Sequence, residues 1–580
     1  MYRVACWSFA VICCCAICID RAPAADPGLI GYWTLRGDCK DHSGHGLDGV
    51  NHGVDLKTAE FDGRGTFIEV PDAPAFHCGS GDFSITAEIS TDKGIDDCFG
   101  DILSKFNGSK RTGINLSLVS NTSGYNSQSD LRQLFFGVDN ATNGEWKDCG
   151  RPGGKTNSTD ALTVFDGSLY VGTTDAADEA DWAHVYRYGG GKQWEDCGRV
   201  GHGKIRGVYA MIVHDGALYA ATAGSHGGPN ANTGDFGRVY RYRGGKEWED
   251  IGQPGDHYRI NSLASFRGKL YSLSINTYGA TGGGVYVYDG SKTWTQCGDF
   301  GRPHTSGVHD GRLFTAFPEG KVFGYDGEAW ADLGNPYSSL DECNQLHSHG
   351  DYRGELYVGT WPLGKVAVLR SGKWVDVGRL GDSTEIVGLT VYNGCLYGGS
   401  IPRAEVFRFD GPQRWTSVGR LFNPPGFEPI PVGTYGKQIE DWTRASSLTV
   451  YQGKLFSSTA TCYRAQINPP VPDDIRGKVF EFGAGAAVSV DRDLGAGWKQ
   501  IAAVRDGQTL KLYVDGKQAA TAKAATPGID VSNDAPLQIG FGPQAHFHGK
   551  IREVRFYNRA LHGDELPQLT QGNQQGAAGL

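Results

Sequence analysis

The chain of 580 residues contains no apolar run long enough to span a membrane. Its longest, Val4 to Ile19, falls short of the roughly 20 residues a spanning helix needs. Preceded by Arg3 and followed by Ala22-Pro23-Ala24, that run reads as an export signal occupying 1–24, which implies a secreted or periplasmic/extracellular protein. Positive charge is also scarce. Lys and Arg number 55 against 65 Asp and Glu, a net charge of −10; removing 1–24 takes away Arg3, Arg21 and Asp20 and leaves 53 against 64, or −11. An acidic balance of this kind argues against nucleic acid and against a membrane surface as partners. Catalytic signatures are missing too: there is no G-x-S-x-G, no H-E-x-x-H and no P-loop. Cysteine is sparse after the signal. The remaining nine are an odd number, so at least one stays unpaired; Cys78 with Cys98 is the pairing expected from proximity.

What the chain does have is a repeat. The phrase VYRYGGGKQWEDCG (185–198) returns as VYRYRGGKEWEDIG (239–252), VYVYDGSKTWTQCG (285–298), VFGYDGEAWADLG (322–334), VAVLRSGKWVDVG (366–378) and VFRFDGPQRWTSVG (406–419), with a partial copy ending at Gly150. Between copies lies an apolar run, a turn and a Leu-Tyr or Leu-Phe pair, as in LTVFDGSLYVGT (162–173) and LTVYQGKLFSST (448–459). Alternating Val, Tyr and Phe broken by Asp-Gly, Asn-Gly or Gly-Gly reads as short antiparallel strands joined by tight hairpins. Seven tryptophans, Trp146, Trp194, Trp248, Trp294, Trp330, Trp374 and Trp415, stand 36 to 54 residues apart. A strand-rich unit at that period is a β-propeller blade, and one tryptophan per blade is expected to pack it on its neighbour. Cys149, Cys197 and Cys297 each follow a tryptophan by three residues, a packing position.

The repeat resembles kelch-type, galactose-oxidase-like propellers over 141–482. That resemblance implies seven blades with SLTVYQGKL (447–455) as an inner strand and RWTSVG (414–419) as an outer one. The flanks alternate polar and apolar residues: YWTL, EFDGRGTFIEV and GDFSITAEI before the repeats, IAAVRDGQTLKLYVDG and IREVRFYNRALHGDEL after them. In order and wording they resemble a laminin-G-like or concanavalin A-like jelly roll. The expected fold is all-β, a seven-bladed propeller inserted into a discontinuous jelly-roll sandwich. The parts would be 25–140 and 483–566 for the sandwich, 141–482 for the propeller, and a disordered tail at 567–580. EWKDCG (145–150) should close the ring by pairing with VFEF (479–482).

Candidate site residues come from aligning the units on the glycine of each inner hairpin. Seven positions before it stand Asp160, Tyr209, Asn261, His304, His347, Val387 and Ser446; nine before it stand Ser158, Gly207, Arg259, Arg302, Gln345, Glu385 and Arg444. Six before it every residue is small, as blades converging on an axis require. If strand alternation holds, the two polar rows converge at one mouth of the channel. From them Asp160, Tyr209, Arg259, Asn261, Arg302, His304, His347 and Arg444 are the expected ligand-binding set; a rim satisfying its own hydrogen bonds is the competing reading. Alternation would also put Gln345, His347 and His349 on one face, a set suited to a divalent transition ion and similar to the His and Gln metal set of the oligogalacturonate lyases. In the jelly roll, Asp41, Asp62 and Glu553 are carboxylates that a structural calcium could use, since domains of this resemblance often carry one. No other cofactor is expected.

Two functions stay open at this level. One is a secreted, lectin-like recognition protein, non-catalytic, whose partner is a glycan or an extracellular surface component. The other is a polysaccharide lyase or glycoside hydrolase acting on acidic glycans at the channel, its arginines neutralising uronate or sulfate, with Tyr209 or His304 as acid/base.

Overall fold

The computed structural model describes residues 26–94, 99–120, 127–174, 176, 178–224, 236–276, 282–299, 301, 303–316, 320–421, 443–461 and 476–569. Repeats 158–199, 207–250, 259–298, 306–334, 343–379 and 385–420 each form a four-stranded antiparallel meander, blades 1 to 6. Blade 7 takes three strands from 443–482, and its outermost strand is Lys147–Asp148, which pairs antiparallel with Val479–Phe482 through Glu481 opposite Lys147 and Phe480 opposite Asp148. The ring is therefore closed by the expected segment. Each inner hairpin turns through two residues of positive φ, from Asp166-Gly167 and Asp215-Gly216 through Asn393-Gly394 to Gln452-Gly453, the conformation of a type I′ turn that matches strand twist.

The tryptophans form the joints. Each indole Nε1–H donates to the carbonyl three residues beyond the tryptophan of the preceding blade: Trp194 to Cys149, Trp248 to Cys197, Trp294 to Ile251, Trp330 to Cys297, Trp374 to Leu333 and Trp415 to Val377, at 2.7 to 3.1 Å. Trp146 completes the circle on Val418 at 3.1 Å. Its ring stacks on Phe482 with centroids 5.0 Å apart, as Trp248 meets Tyr242 at 4.8 Å and Trp415 meets Phe409 at 4.9 Å.

The flanking segments build two stacked sheets. In one, Phe83–Thr91 lies between Gly497–Asp506 and His548–Tyr557; in the other, Gln133–Asn143 pairs with Ala484–Val490. Trp33, Phe61, Phe83, Phe136 and Phe556 are buried between them. The strand expected to end near 140 runs on to Asn143. Of the tail expected at 567–580, residues 570–580 lie outside the described residues; in 567–569 the amides of Gln568 and Leu569 donate to the Glu565 and Leu566 carbonyls, and Leu569 is half-buried against the cluster that contains Tyr513 and Leu561. Cys98 and Cys462 lie outside the described residues; among the described residues all seven cysteines are thiols, so no disulfide is found there.

Every inner strand meets the sandwich segments at or beside its hairpin. Gly167 donates to the Asp491 carbonyl, Asp215 N–H to the Asp130 carboxylate at 2.9 Å and Ser265 N–H to the Gln128 carbonyl. Arg64 binds Asp310 at 2.7 Å, Arg353 N–H donates to the Pro543 carbonyl, and Asn393 donates to the Val138 and Ala484 carbonyls. Gln452 N–H donates to the Asp491 carboxylate at 3.0 Å. One mouth of the channel therefore faces the sandwich.

Two outcomes are expected. Trp146→Ala leaves Phe482 and the Val418 carbonyl without their partner and should cost about 3 kcal/mol, the low end for truncating a packed aromatic; denaturant unfolding measures it. Burial pushes the carboxyl of Asp101 up to about 7 against the Ala545 and Gln544 amides. It likewise pushes Asp139, despite Arg111, and Asp491, despite Ser489, to about 6. These values exceed the unfolded value of about 3.9, so the protonated forms favour the fold. Their contribution is complete below pH about 4 and is lost as pH rises through 6 to 7. Melting temperature should fall between pH 4 and 7 and level off above, by about 1 °C per kcal/mol for a chain of this size, and Asp101→Asn should flatten that slope.

Candidate functional site

Six of the seven inner strands carry the same irregularity. Register shifts between Thr159 and Ala161, Val208 and Ala210, Ile260 and Ser262, Leu346 and Ser348, Ile386 and Gly388, and Ala445 and Ser447. The extra residue is in each case the one seven before the hairpin glycine: Asp160, Tyr209, Asn261, His347, Val387 and Ser446. A β-bulge re-aims such a residue and resets alternation beyond it.

The bulges bring most of the expected residues together. The Arg259 guanidinium sits over the Tyr209 ring, 4.7 Å from its centroid, a cation–π contact between blades 2 and 3. Asn261 donates from Nδ2 to the Pro303 carbonyl at 3.4 Å and lies 3.5 Å from His304 Nδ1. The His304 and His347 rings are 4.8 Å apart. His347 Nε2 is 2.7 Å from Gln345 Oε1, and its Nδ1 is 2.8 Å from Glu385 Oε1. Burial pushes the Glu385 carboxyl up, yet the charge and hydrogen bond of His347 and the charge of Arg444 outweigh burial and hold it below the usual range. A polar chain thus runs from blade 2 to blade 7. Asn261, His304, His347 and Glu385 are buried in it, whereas Arg259, Gln345 and Arg444 are half-buried nearer the mouth.

Two expectations end differently and a third falls outside what is described. Asp160 accepts the Thr174 hydroxyl of its own blade at 2.7 Å, and Arg302 lies outside the described residues. The metal set Gln345, His347 and His349 does not share a face. The inserted residue at His347 shifts alternation by one, so Gln345 and His349 fall on opposite sides of the strand. The His349 ring instead packs on blade 4, 3.1 Å from Thr305 Oγ1 and edge-on to Phe314 at 4.9 Å. Burial also drives its pKa down to about 4, which keeps the ring neutral.

The calcium carboxylates are engaged separately. Asp41 accepts the amides of Tyr32, Ser43 and Leu47; Asp62 accepts those of Arg64, Gly65 and Thr66. Glu553 binds Tyr32 Oη, Arg36 and Arg555. Each oxygen set serves its own turn or cation, and among the described residues no group of three or more His, Cys, Asp or Glu could hold a metal.

Sequence reading passed over two contributors. Glu385 stood in the outer polar row but was not taken as a site residue, although it is the acid joining His347 to Arg444. The segment Ser127–Leu131, which carried no expectation of its own within 25–140, lies inside the channel and is buried except at Asp130: Gln128 bridges in parallel to Ala264 along the inward edge of blade 3, and Ser129 Oγ accepts Val213 N–H of blade 2 at 3.1 Å. Nothing in its composition announces this, because a polar segment becomes a strand only beside an unpaired strand edge. A second concavity of about 580 Å³ lies between blades 4 and 5 and the sandwich. Three pairs of its charges are closed on one another, Arg64 on Asp310, Arg370 on Glu355 and His309 on Asp351, and Arg312 lines it as well.

Residues 439–566 match the model of the concanavalin A-like lectin/glucanases superfamily, which takes in the last blade as well as the C-terminal sandwich strands. No curated protein sequence matches the chain. Among solved structures it is similar to the extracellular domain of the one-component system BT4673 of B. thetaiotaomicron (13% identity, TM-score 0.39, 58% of this chain and 40% of that one). It is similar also to the GH74 xyloglucanase of Xanthomonas campestris (14%, 0.37, 62% and 59%) and to Trypanosoma rangeli sialidase in complex with the inhibitor DANA (13%, 0.30, 72% and 94%). The chain spans less than half the length of the first of these.

Because His347 and Glu385 are buried against each other, removing either leaves the partner uncompensated. His347→Ala and Glu385→Ala should each cost about 3–5 kcal/mol. The double variant should cost less than their sum by at least about 0.5 kcal/mol, which a double-mutant cycle in denaturant checks.

Proposed function

We propose that this chain is a secreted recognition protein that binds an acidic saccharide at the mouth of the propeller channel away from the sandwich. The observation that carries the reading is the placement of Arg259 and Arg444, half-buried at the mouth on blades 3 and 7, with Gln345 between them on blade 5 and the buried Tyr209–Asn261–His304–His347 chain beneath. Guanidinium groups offer paired, charge-assisted donors to carboxylate or sulfate, and the amide and imidazole groups below suit hydroxyls. The lectin-like sandwich fold and the propeller fold are both consistent with carbohydrate-related function. In this reading the propeller, 144–482, interrupts the sandwich, and 1–24 directs export. Among the described residues no helix is long and apolar enough to cross a membrane.

A second reading, turnover of the bound saccharide as a lyase or hydrolase, rests on the His347–Glu385 pair. A buried imidazole oriented by a carboxylate is general acid/base equipment.

The test is binding of uronate and sulfated oligosaccharides, with neutral ones as controls. Acidic ligands should bind with an affinity that falls as salt rises. Arg259→Ala and Arg444→Ala should each weaken binding about tenfold, the equivalent of about 1.4 kcal/mol, without a matching loss of thermal stability. Equal affinity for neutral and acidic ligands would refute the reading. Shortened products on prolonged incubation would select the second.

A further inference from the structure

The two mouths of the channel are not equivalent. At the sandwich end the seven inner strands are seated at or beside their hairpins, and residues 127–131 rise from the sandwich into the channel itself. Gln128 N–H donates to the Leu263 carbonyl, and the Gln128 carbonyl accepts Ser265 N–H, so this segment adds a strand to the inward edge of blade 3. Asp130 N–H donates to the Val213 carbonyl, extending the attachment to blade 2. At its upper end Ser127 Oγ accepts Leu263 N–H at 3.0 Å and lies 3.4 Å from Ser262 Oγ, which in turn is 2.7 Å from Ser306 Oγ of blade 4. Ser127, Gln128, Ser129 and Leu131 are all buried.

Ser262 belongs to the row of small residues where the blades pinch together. Arg259 stands only three residues above it on the same strand, about 10 Å at roughly 3.3 Å per residue. The polar chain of the mouth therefore lies directly above a floor made by the sandwich segment and the serine cluster.

We infer that the channel is a one-ended pocket whose ligand is the terminus of an acidic saccharide chain and not an internal stretch of one. This rests on the reading of the mouth as an acidic-saccharide site. A polymer crossing the mouth sideways would touch the half-buried Arg259 and Arg444 without reaching the His304 and His347 groups below, which are 4% and 7% exposed. A chain end entering along the axis reaches both. Passage through the ring is closed by the backbone hydrogen bonds of 127–131, which tie the segment to two blades at once.

The experiment uses the whole wild-type protein and a uronate oligosaccharide of about eight units. The probe is offered free, carrying a bulky group on the reducing end, on the non-reducing end, or on both. The expected result is binding of the free form and of one singly capped form, with at least tenfold weaker binding of the doubly capped form and of the other singly capped form. Equal binding of free and doubly capped probes, still weakened by Arg259→Ala, overturns the one-ended pocket and leaves the acidic-saccharide site standing. No salt-sensitive binding of any form overturns the proposed function itself, and the inference with it. As an independent measure, Ser127→Ala removes the hydroxyl of the floor with the loss of a single heavy atom and without overpacking this buried site. It should change affinity for the free form at least threefold while leaving the preference for acidic over neutral saccharides unchanged. No change in affinity, with the fold intact by circular dichroism, counts against a ligand that reaches the floor.

Discussion

The whole architecture depends on a circle of indole-to-carbonyl hydrogen bonds between neighbouring outer strands. Each bond by itself is an ordinary neutral one, worth about 0.5–1.5 kcal/mol net. Its leverage comes from closure. A blade has two apolar faces, and a meander of four strands can cover neither alone, so every joint that opens exposes two faces at once. The same two-residue strand, Lys147–Asp148, serves two joints: Trp146 beside it donates to Val418 of blade 6, and Cys149 just past it accepts Trp194 of blade 1. The beginning of the repeat region is thus bound to its end, and the ring becomes one cooperative object.

Closure also sets where the sandwich stands. The segments leaving and re-joining the ring, at Asn143 and Ala484, pair with each other, so the two sheets of the flanking segments are held against the mouth formed by the inner hairpins. That contact buries polar groups and is satisfied group by group. The Asp130 and Asp491 carboxylates accept hairpin amides from blades 2 and 7, and Asn393 of blade 6 bonds Asn115 as well as two sandwich carbonyls. Carboxyls held in so dry a junction are pushed upward in pKa, Asp491 to about 6 and Asp101 to about 7, which ties the seating of one domain on the other to proton concentration.

At the opposite mouth the repeated bulge is the organising device. A regular strand would point alternate residues into neighbouring blades, where only small or apolar groups fit. One extra residue in six of the seven inner strands gives those blades a side chain that can meet its neighbours' around the axis. The ring of repeats therefore carries a ring of side chains that differ from blade to blade, and chemical variety is concentrated where the structural repeat is strictest.

The sequence by itself determined the all-β architecture, the number of blades, the segment that closes the ring and the rows from which the site is drawn. These follow from local rules: strand alternation, Asp-Gly and Asn-Gly hairpins, and a large aromatic at a fixed interval, each legible within a dozen residues. Tertiary structure alone decided the facing of those rows. The bulge at His347 is invisible in a string of letters, because it depends on how many residues the partner strand Glu355–Pro362 offers opposite, and it is what separates His349 from Gln345. Glu385 acquired its place in the same way, through a neighbour on another blade. The occupation of the channel by Ser127–Leu131 was also beyond local reading. A polar loop has no propensity that marks it as a strand; it became one because the inward edges of blades 2 and 3 left backbone donors and acceptors that had to be paired away from water.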